Sequence, residues 1–237
     1  MHETLSQTEI YVTVDVLILT VREGRLRLML SRRTEAPFRG CWALPGKFIG
    51  RNESAEKAVS ELMKEMFPVP FGFMEQLYTF SAVNRDPRGR VISAAYLAIL
   101  PASRAQEALD IPFSLMEDFS VSLDGDGLRL TGSSGTELFP ADLAFDHGEI
   151  IEMGINRLRG KISYSDIGFY FLEDRNSFSL GDLQTVFEAV LARQLDSSNF
   201  RRMILAEYGR SGKIIKTGKE EKTGTGRPSA LYRFQEE

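Results

Sequence analysis

Apolar and polar positions along the chain divide it into recognisable elements. Residues 8–20, TEIYVTVDVLILT, are β-branched and aliphatic with partial alternation and read as a strand. A turn at Arg22–Gly24 leads into residues 25–32, RLRLMLSR, whose alternation of charged and apolar side chains predicts a half-buried strand. A loop, TEAPFRGCW, precedes Leu44-Pro45-Gly46, and a helix is expected from about Ser54 to Met66, ended by Pro68 and Pro70. Strands are expected over 73–83 and 91–100, joined by the turn sequence Asn84-Arg85-Asp86-Pro87-Arg88-Gly89. Asp124-Gly125 and Asp126-Gly127 predict a hairpin within 119–139. Residues 140–159 read as one amphipathic helix with Leu143, Ile150, Ile151, Met153 and Leu158 as its stripe and His147 as a hydrogen-bonded structural histidine.

The pattern changes towards the C-terminus. Residues 164–174 are aromatic and apolar and suit a strand or a linker. Ser179 is placed to cap a helix running to about Gln194, and a short turn separates it from a second helix, Ser198 to Tyr208. Two short helices with a tight connection suit a helix-turn-helix. Strand-like residues 212–218 and 229–235 flank the charged, Gly-rich stretch Lys219 to Pro228, as the strands of a wing would. The expected fold class is an α/β sandwich over residues 1–160 followed by a winged helix over 161–237.

Composition narrows the function classes. The 237 residues are 43% hydrophobic and 26% charged, which is ordinary for a globular chain. There is no apolar run of membrane-spanning length and no signal-peptide pattern at the N-terminus. One cysteine, Cys41, excludes an intramolecular disulfide and fits a reducing cytoplasm. Two histidines and one cysteine are too few for a dedicated zinc site. The net charge of −4 is uneven. Arg201, Arg202, Arg210, Lys213, Lys216, Lys219, Lys222, Arg227 and Arg233 face only Glu207, Glu220 and Glu221 between Asn199 and Arg233. A basic terminal module on an acidic body points to nucleic acid.

The stretch Ala43 to Phe67, ALPGKFIGRNESAEKAVSELMKEMF, resembles a Nudix box with part of its acid set erased. Aligned from Gly46, the box places Asn52 where the family has its first Glu. Ser60 then stands for the Arg, Lys64 for a central Glu and Phe67 for the closing Gly, while Glu61 and Glu65 remain. Nudix hydrolysis depends on Mg²⁺ held between carboxylates and a pyrophosphate. Glu61 and Glu65, four residues apart on one helical face, could hold at most one weakly bound ion, with Lys64 beside them. Glu53 and Glu56 lie outside the box positions. The alternative is that these acids form a solvated helix face, with Glu61 and Lys64 as a surface pair. No catalytic residue and no cofactor are assigned, and residual hydrolysis would call for Mg²⁺.

Three segments together resemble the NrtR-type Nudix-related transcriptional regulators. They are Pro37-Phe38-Arg39-Gly40-Cys41-Trp42-Ala43-Leu44-Pro45-Gly46-Lys47-Phe48, then Asp142-Leu143-Ala144-Phe145-Asp146-His147, and a C-terminal set. That set comprises Phe178-Ser179-Leu180, Asn199-Phe200-Arg201-Arg202 and Gly226-Arg227-Pro228-Ser229-Ala230-Leu231-Tyr232-Arg233-Phe234. The resemblance implies a Nudix-like effector domain, a winged-helix DNA-binding domain, and a homodimer that releases a palindromic operator when it binds an effector. It departs from the family where Lys47 replaces the second Gly of a Gly-Gly pair and in the length of the 119–139 hairpin. Both departures are expected near the effector pocket. The effector is a nucleotide-sugar such as ADP-ribose, or a sugar. The loop Arg32 to Trp42, Phe48 and the Arg85 to Arg88 turn are expected to line the pocket, with Arg32, Arg39, Trp42, Phe48, Arg85 and Arg88 as ligand contacts, Arg suited to phosphate and the aromatics to a base or sugar face. Asn199, Arg201 and Arg202 are the expected base readers, with Lys216, Lys219, Lys222 and Arg227 along the backbone, Thr223 and Thr225 assisting. The competing class is an enzyme, a Nudix pyrophosphohydrolase acting on ADP-ribose or a related nucleotide.

Overall fold

A computed structural model describes residues 9–67, 72–110, 115–222 and 228–236. The first strand, β1 (Tyr11–Arg22), pairs in parallel with β6 (Val91–Ile99) and organises the large sheet. Among the described residues nine strands form that sheet, along the path β5 (Phe73–Phe80), β6, β1, β2 (Arg25–Arg32), β7 (Met116–Asp124), β8 (Gly127–Gly132) and β9 (Glu137–Leu138). Two short strands stand off this path. β3 (Trp42–Ala43) pairs with β2, and β4 (Gly46–Phe48) pairs with β1.

β1 carries an unbroken buried run because helices cover both sheet faces, as continuous apolar strands require. On one face Val14, Val16, Ile18, Met29, Tyr96 and Ala98 pack with α1 (Ala55–Met66) and α2 (Ala102–Leu109). On the other, Leu17, Leu19, Leu28 and Leu97 pack with α3 (His147–Lys161) and with α4 (Leu180–Leu191). Ser54 caps α1 by accepting from the Lys57 N–H at 3.2 Å. Pro68 and Pro70, expected to end α1, lie outside the described residues. β1 turns into β2 through Glu23 and Gly24, both at positive φ, the geometry a tight hairpin needs.

The helix expected over 140–159 is shorter at its start. Pro140–Asp142 form a 3-10 turn, Leu143 is extended, and the Ala144 N–H donates to the Trp42 carbonyl at 2.8 Å. Phe145 sits at φ 55°, so α3 begins only at His147 and runs on to Lys161. The strand or linker expected over 164–174 is a buried 3-10 helix, Asp166–Phe171. Its Phe169 stacks on Phe234 at 4.3 Å and meets Tyr208 edge-on at 5.1 Å, so an aromatic cluster, not strand pairing, buries this segment.

The C-terminal elements are β10 (Phe178–Ser179), α4, α5 (Ser197–Ile204), β11 (Ile214–Glu221) and β12 (Ser229–Phe234). Ser179 and Asp182 form a reciprocal capping box at the start of α4. α4 ends at Leu191, with Ala192 left-handed, instead of reaching Gln194. α5 is capped by Asp196 and passes into a π turn, Leu205–Gly209. The three short strands form a separate sheet in the order β10-β12-β11.

Gly154 lets α3 lie close on β1. An added Cβ would collide with the Leu17 Cδ2 and come within 3.3 Å of Leu77 Cδ2, and both leucines are buried. Gly154→Ala should lower stability by about 1–3 kcal/mol through overpacking. Urea unfolding measures this, and an unchanged midpoint would contradict the packing described.

Candidate functional site: a cleft beside a split in the sheet, and a winged helix

β1 and β2 pair only from Leu19 and Leu28 outward. Nearer its start, β1 pairs with β4 instead, at Thr13–Phe48, Val14–Lys47 and Asp15–Gly46. The sheet therefore splits, and a cleft of about 190 Å³ opens there, lined by Thr13, Asp15, Arg33, Glu35, Leu44, Gly46, Lys47, Phe48, Arg85, Asp86, Arg88, Phe145 and His147. Gly46 is needed for this geometry. A Cβ on it would clash with the Asp15 carboxylate and approach the Val14 carbonyl to 2.6 Å.

The floor is a buried charge network. Arg85 holds Asp146 in a two-pronged contact, Nε to Oδ2 at 2.8 Å and Nη2 to Oδ1 at 2.6 Å, and reaches Asp15 at 3.4 Å. Ser93 Oγ donates to the same Asp15 oxygen at 2.5 Å. The Leu44 N–H donates to His147 Nδ1 at 2.8 Å, which assigns the proton of the neutral ring to Nε2, 3.6 Å from Asp15 Oδ1. Burial lowers the His147 pKa. Asp15 and Asp146 oppose that shift, and Arg85 and Arg33 add to it. His147 is thus the hydrogen-bonded structural histidine expected from the sequence.

Aromatic rings and cations make the walls. The Arg88 guanidinium lies 5.2 Å from the Phe48 ring centre and 5.5 Å from that of Phe145. It also bonds Asp86 at 2.7 Å, a contact that raises the Arg88 pKa. Arg33 lies 4.8 Å from the Phe145 ring centre, and its N–H groups donate to the carbonyls of Pro37 and Glu35.

Of the ligand contacts expected from sequence, the structure brings Phe48, Arg85 and Arg88 to the cleft. The Arg85 side chain is only 3% exposed and its charge is taken up by two aspartates, so it supports the floor. Arg32, Arg39 and Trp42 fall outside the cleft. Arg32 donates to the Gly40 carbonyl, Trp42 packs edge-on against Phe119 at 5.1 Å, and Arg39 is exposed. The 119–139 hairpin contributes nothing to the cleft, because β7 extends the sheet from the far side of β2. Arg33 lies in the loop expected to line the pocket but is not among the contacts singled out from sequence, and neither is Phe145. Arg33 follows the last residue of β2, and Phe145 belongs to a segment read as helix.

Glu65 and Lys64 are both exposed. Glu61 meets Lys47 at 3.3 Å and Lys57 at 3.7 Å, so the cations beside it are Lys47 and Lys57 and not the expected Lys64. Among the described residues no three His, Cys, Asp or Glu side chains form a metal-holding group.

In the winged part, α5 buries Phe200 and Ile204 and exposes Ser197, Ser198, Asn199, Arg201, Arg202 and Met203. Phe200 meets Phe187 of α4 edge-on at 5.1 Å, which fixes the angle between the two helices. Arg202 Nη2 donates to Asn199 Oδ1 at 2.8 Å. Lys216 and Lys219 are exposed on β11, which runs three residues past the expected strand end at 218, and Lys222 follows exposed. Thr223, Gly224, Thr225, Gly226 and Arg227 lie outside the described residues. α3 joins the two parts. Arg159, near its end, donates to the carbonyls of Val190 at 3.0 Å and Leu123 at 2.7 Å.

Comparison with known proteins covers both parts. Residues 168–234 match the family described as NrtR DNA-binding winged helix domain. An ADPR responsive transcriptional repressor from Acinetobacter baylyi is 28% identical over 224 residues, 94% of this chain and 81% of the relative. The crystal structure of Shewanella oneidensis NrtR is 30% identical with a TM-score of 0.73, covering 94% of each chain. The same protein complexed with a 27mer DNA gives 29% and 0.74, covering 94% of this chain and 93% of that one. A MutT/nudix family protein from Enterococcus faecalis gives 28% and 0.72, covering 97% of this chain and 89% of that one. The fold is therefore a Nudix-type α/β sandwich followed by a winged helix, as the sequence pattern led us to expect. No helix among the described residues is long and apolar enough to cross a membrane.

The pH dependence of stability should report the buried histidine. With its folded pKa below the usual value of about 6.5, His147 leaves the unfolded chain binding more protons as pH falls below that value. Its contribution to stability is therefore lost on acidification below about pH 6.5, at up to about 1.4 kcal/mol per pH unit. Urea unfolding of wild type and His147→Gln should show the stability difference shifting in favour of the variant across that range. A difference constant from neutral to acid pH would mean that burial does not suppress His147 protonation.

Proposed function

This chain belongs to the NrtR family, and on that footing we propose that it is a DNA-binding transcriptional repressor whose Nudix-like part, taken as residues 1–160, receives ADP-ribose. Residues 161–237 are taken as the part that holds the operator. The observation that carries the reading is one chain holding both a cleft walled by Arg33, Arg88, Phe48 and Phe145 and an exposed polar and basic face on α5. Its 28% identity over 94% of its length to a repressor named for ADP-ribose supports the choice of effector.

A flat base or a ribose suits the Phe48 and Phe145 rings, and a pyrophosphate suits the Arg33 and Arg88 guanidinium groups. Asn199, Arg201 and Arg202 suit base edges in a major groove, while Lys216, Lys219, Lys222 and Arg227 suit phosphates. The reading includes a homodimer on a palindromic site, with half-sites about one or two helical turns apart. It also includes a cytoplasmic location, where such DNA lies.

Fluorescence anisotropy on double-stranded DNA from upstream of its own gene tests the reading. ADP-ribose should release the fragment, and Arg33→Ala should weaken that release. Lys216→Ala should lower the slope of affinity against salt by about 1. Arg202→Ala should cost about 1–3 kcal/mol and relax preference at one base position. Specific binding with none of these responses would sink the proposal.

A hydrolase is the second reading, and the surviving Glu61 and Glu65 are what favour it. Without a gathered carboxylate set, ADP-ribose turnover with Mg²⁺ or Mn²⁺ should be negligible. Robust turnover abolished by Glu61→Gln or Glu65→Gln would reverse the assignment in favour of the enzyme.

A further inference from the structure

Two carboxylates do approach a common point beside α1, and a side chain of the same protein stands between them. Lys47 leaves β4 on the cleft wall and places Nζ 3.1 Å from Glu53 Oε1 and 3.3 Å from Glu61 Oε2. Glu53 is only 12% exposed, and its second oxygen accepts from the Gly50 N–H at 2.8 Å. The position of Lys47 is fixed by its register with Val14 and by its neighbours, Gly46 pressed against Asp15 and Phe48 at the cleft mouth.

A divalent cation in such a place binds through one or two carboxylates and completes its shell with water and the ligand's phosphate oxygens. An ammonium group has three donors and no acceptor. Two of them reach Glu53 and Glu61, which leaves one N–H for a further oxygen. We propose that Lys47 is a built-in substitute for the divalent cation, holding Glu53 and Glu61 together and offering its remaining N–H to an anionic oxygen of a ligand in the cleft. This rests on reading the cleft as the site of a phosphate-bearing effector.

The chemistry separates binding from cleavage. Without a cation at this point, two carboxylates would face the phosphates of the ligand and repel them. With Lys47 there, the repulsion is offset, and the position from which a metal would activate water or spread developing charge is filled by its ammonium. The substitution at 47 therefore suits a protein that holds a pyrophosphate and leaves it intact. It also makes affinity for the ligand independent of Mg²⁺.

The test has one arm without effector and one with it. Mn²⁺ uptake is followed by electron paramagnetic resonance on the full chain. Wild type and Lys47→Arg should take up no Mn²⁺ at millimolar concentration. Lys47→Ala should take up a single ion, and adding Glu61→Gln should abolish that uptake. Calorimetry with ADP-ribose in EDTA should show affinity falling about tenfold in Lys47→Ala and recovering when Mn²⁺ replaces EDTA. A folded Lys47→Ala that takes up no Mn²⁺, or that binds ADP-ribose in EDTA as wild type does, overturns the proposal. If Lys47→Ala loses its thermal transition, Lys47→Met keeps the stem and carries the same readouts. Failure of ADP-ribose to bind wild type would instead remove the effector reading, and the Mn²⁺ arm would still decide the role of Lys47.

Discussion

Arg85 is buried with its guanidinium between two carboxylates from distant parts of the chain, Asp15 in β1 and Asp146 just before α3. An unpaired charge in that position would cost about 3–5 kcal/mol, so the three residues are placed together or not at all. Much of the site follows. The 84–89 turn must fold inward to deliver Arg85, which also brings Arg88 to the cleft mouth. Asp146 must stay outside the helix that follows it, and His147 then meets the Leu44 N–H. Asp15 requires a glycine opposite it, and Gly46 supplies that. The network fixes where the sheet splits and hence where the cleft opens.

The cleft is rich in cations, yet most of them are answered from within the protein. Arg85 has Asp15 and Asp146, Arg88 has Asp86, and Lys47 has Glu53 and Glu61. Arg33 is bonded to main-chain carbonyls instead. A phosphate-bearing ligand would therefore find its strongest unshared attraction at Arg33, with Arg88 available by exchange from Asp86. Bidentate geometry favours arginine for both tasks. Phe48, 45% exposed, and Phe145, strained at positive φ, set the spacing of the walls around those guanidinium groups.

Local chemistry made much of the fold legible in the sequence. The cap at Ser54, the capping box at Ser179 and the Asp-Gly turns at 124–127 all act over a few residues, and the corresponding elements are in place; 25–32 is a strand, but Leu26 to Leu30 are all buried instead of half-buried, with Arg27 paired to Asp118. The failures share a different cause. The helix expected from 140 starts at 147 because the Ala144 N–H is claimed by Trp42, a partner about a hundred residues away. Residues 166–171 coil into a 3-10 helix because Phe169 finds Phe234 and Tyr208. The cations beside Glu61 are Lys47, on a strand, and Lys57, one turn back on the helix, in place of Lys64. Arg33, rather than Arg32, lines the cleft because it starts the loop after β2, where its bonds to the Pro37 and Glu35 carbonyls hold it beside Phe145.

α3 gives the two halves of the molecule a common rigid element. Its first residue, His147, sits in the cleft floor, and Arg159 near its far end bonds the Val190 carbonyl of α4 and the Leu123 carbonyl of β7. α4 in turn sets α5 through the Phe187–Phe200 contact, and α5 carries Asn199, Arg201 and Arg202. A ligand shifts a remote equilibrium only by the difference in its affinity for the two states. α3 starts directly beside Asp146, and Arg159, two residues before its end, bonds the helix that positions α5. α3 is thus a short covalent and hydrogen-bonded connection between the buried Arg85–Asp146 pair and the helix whose Phe187 packs on α5.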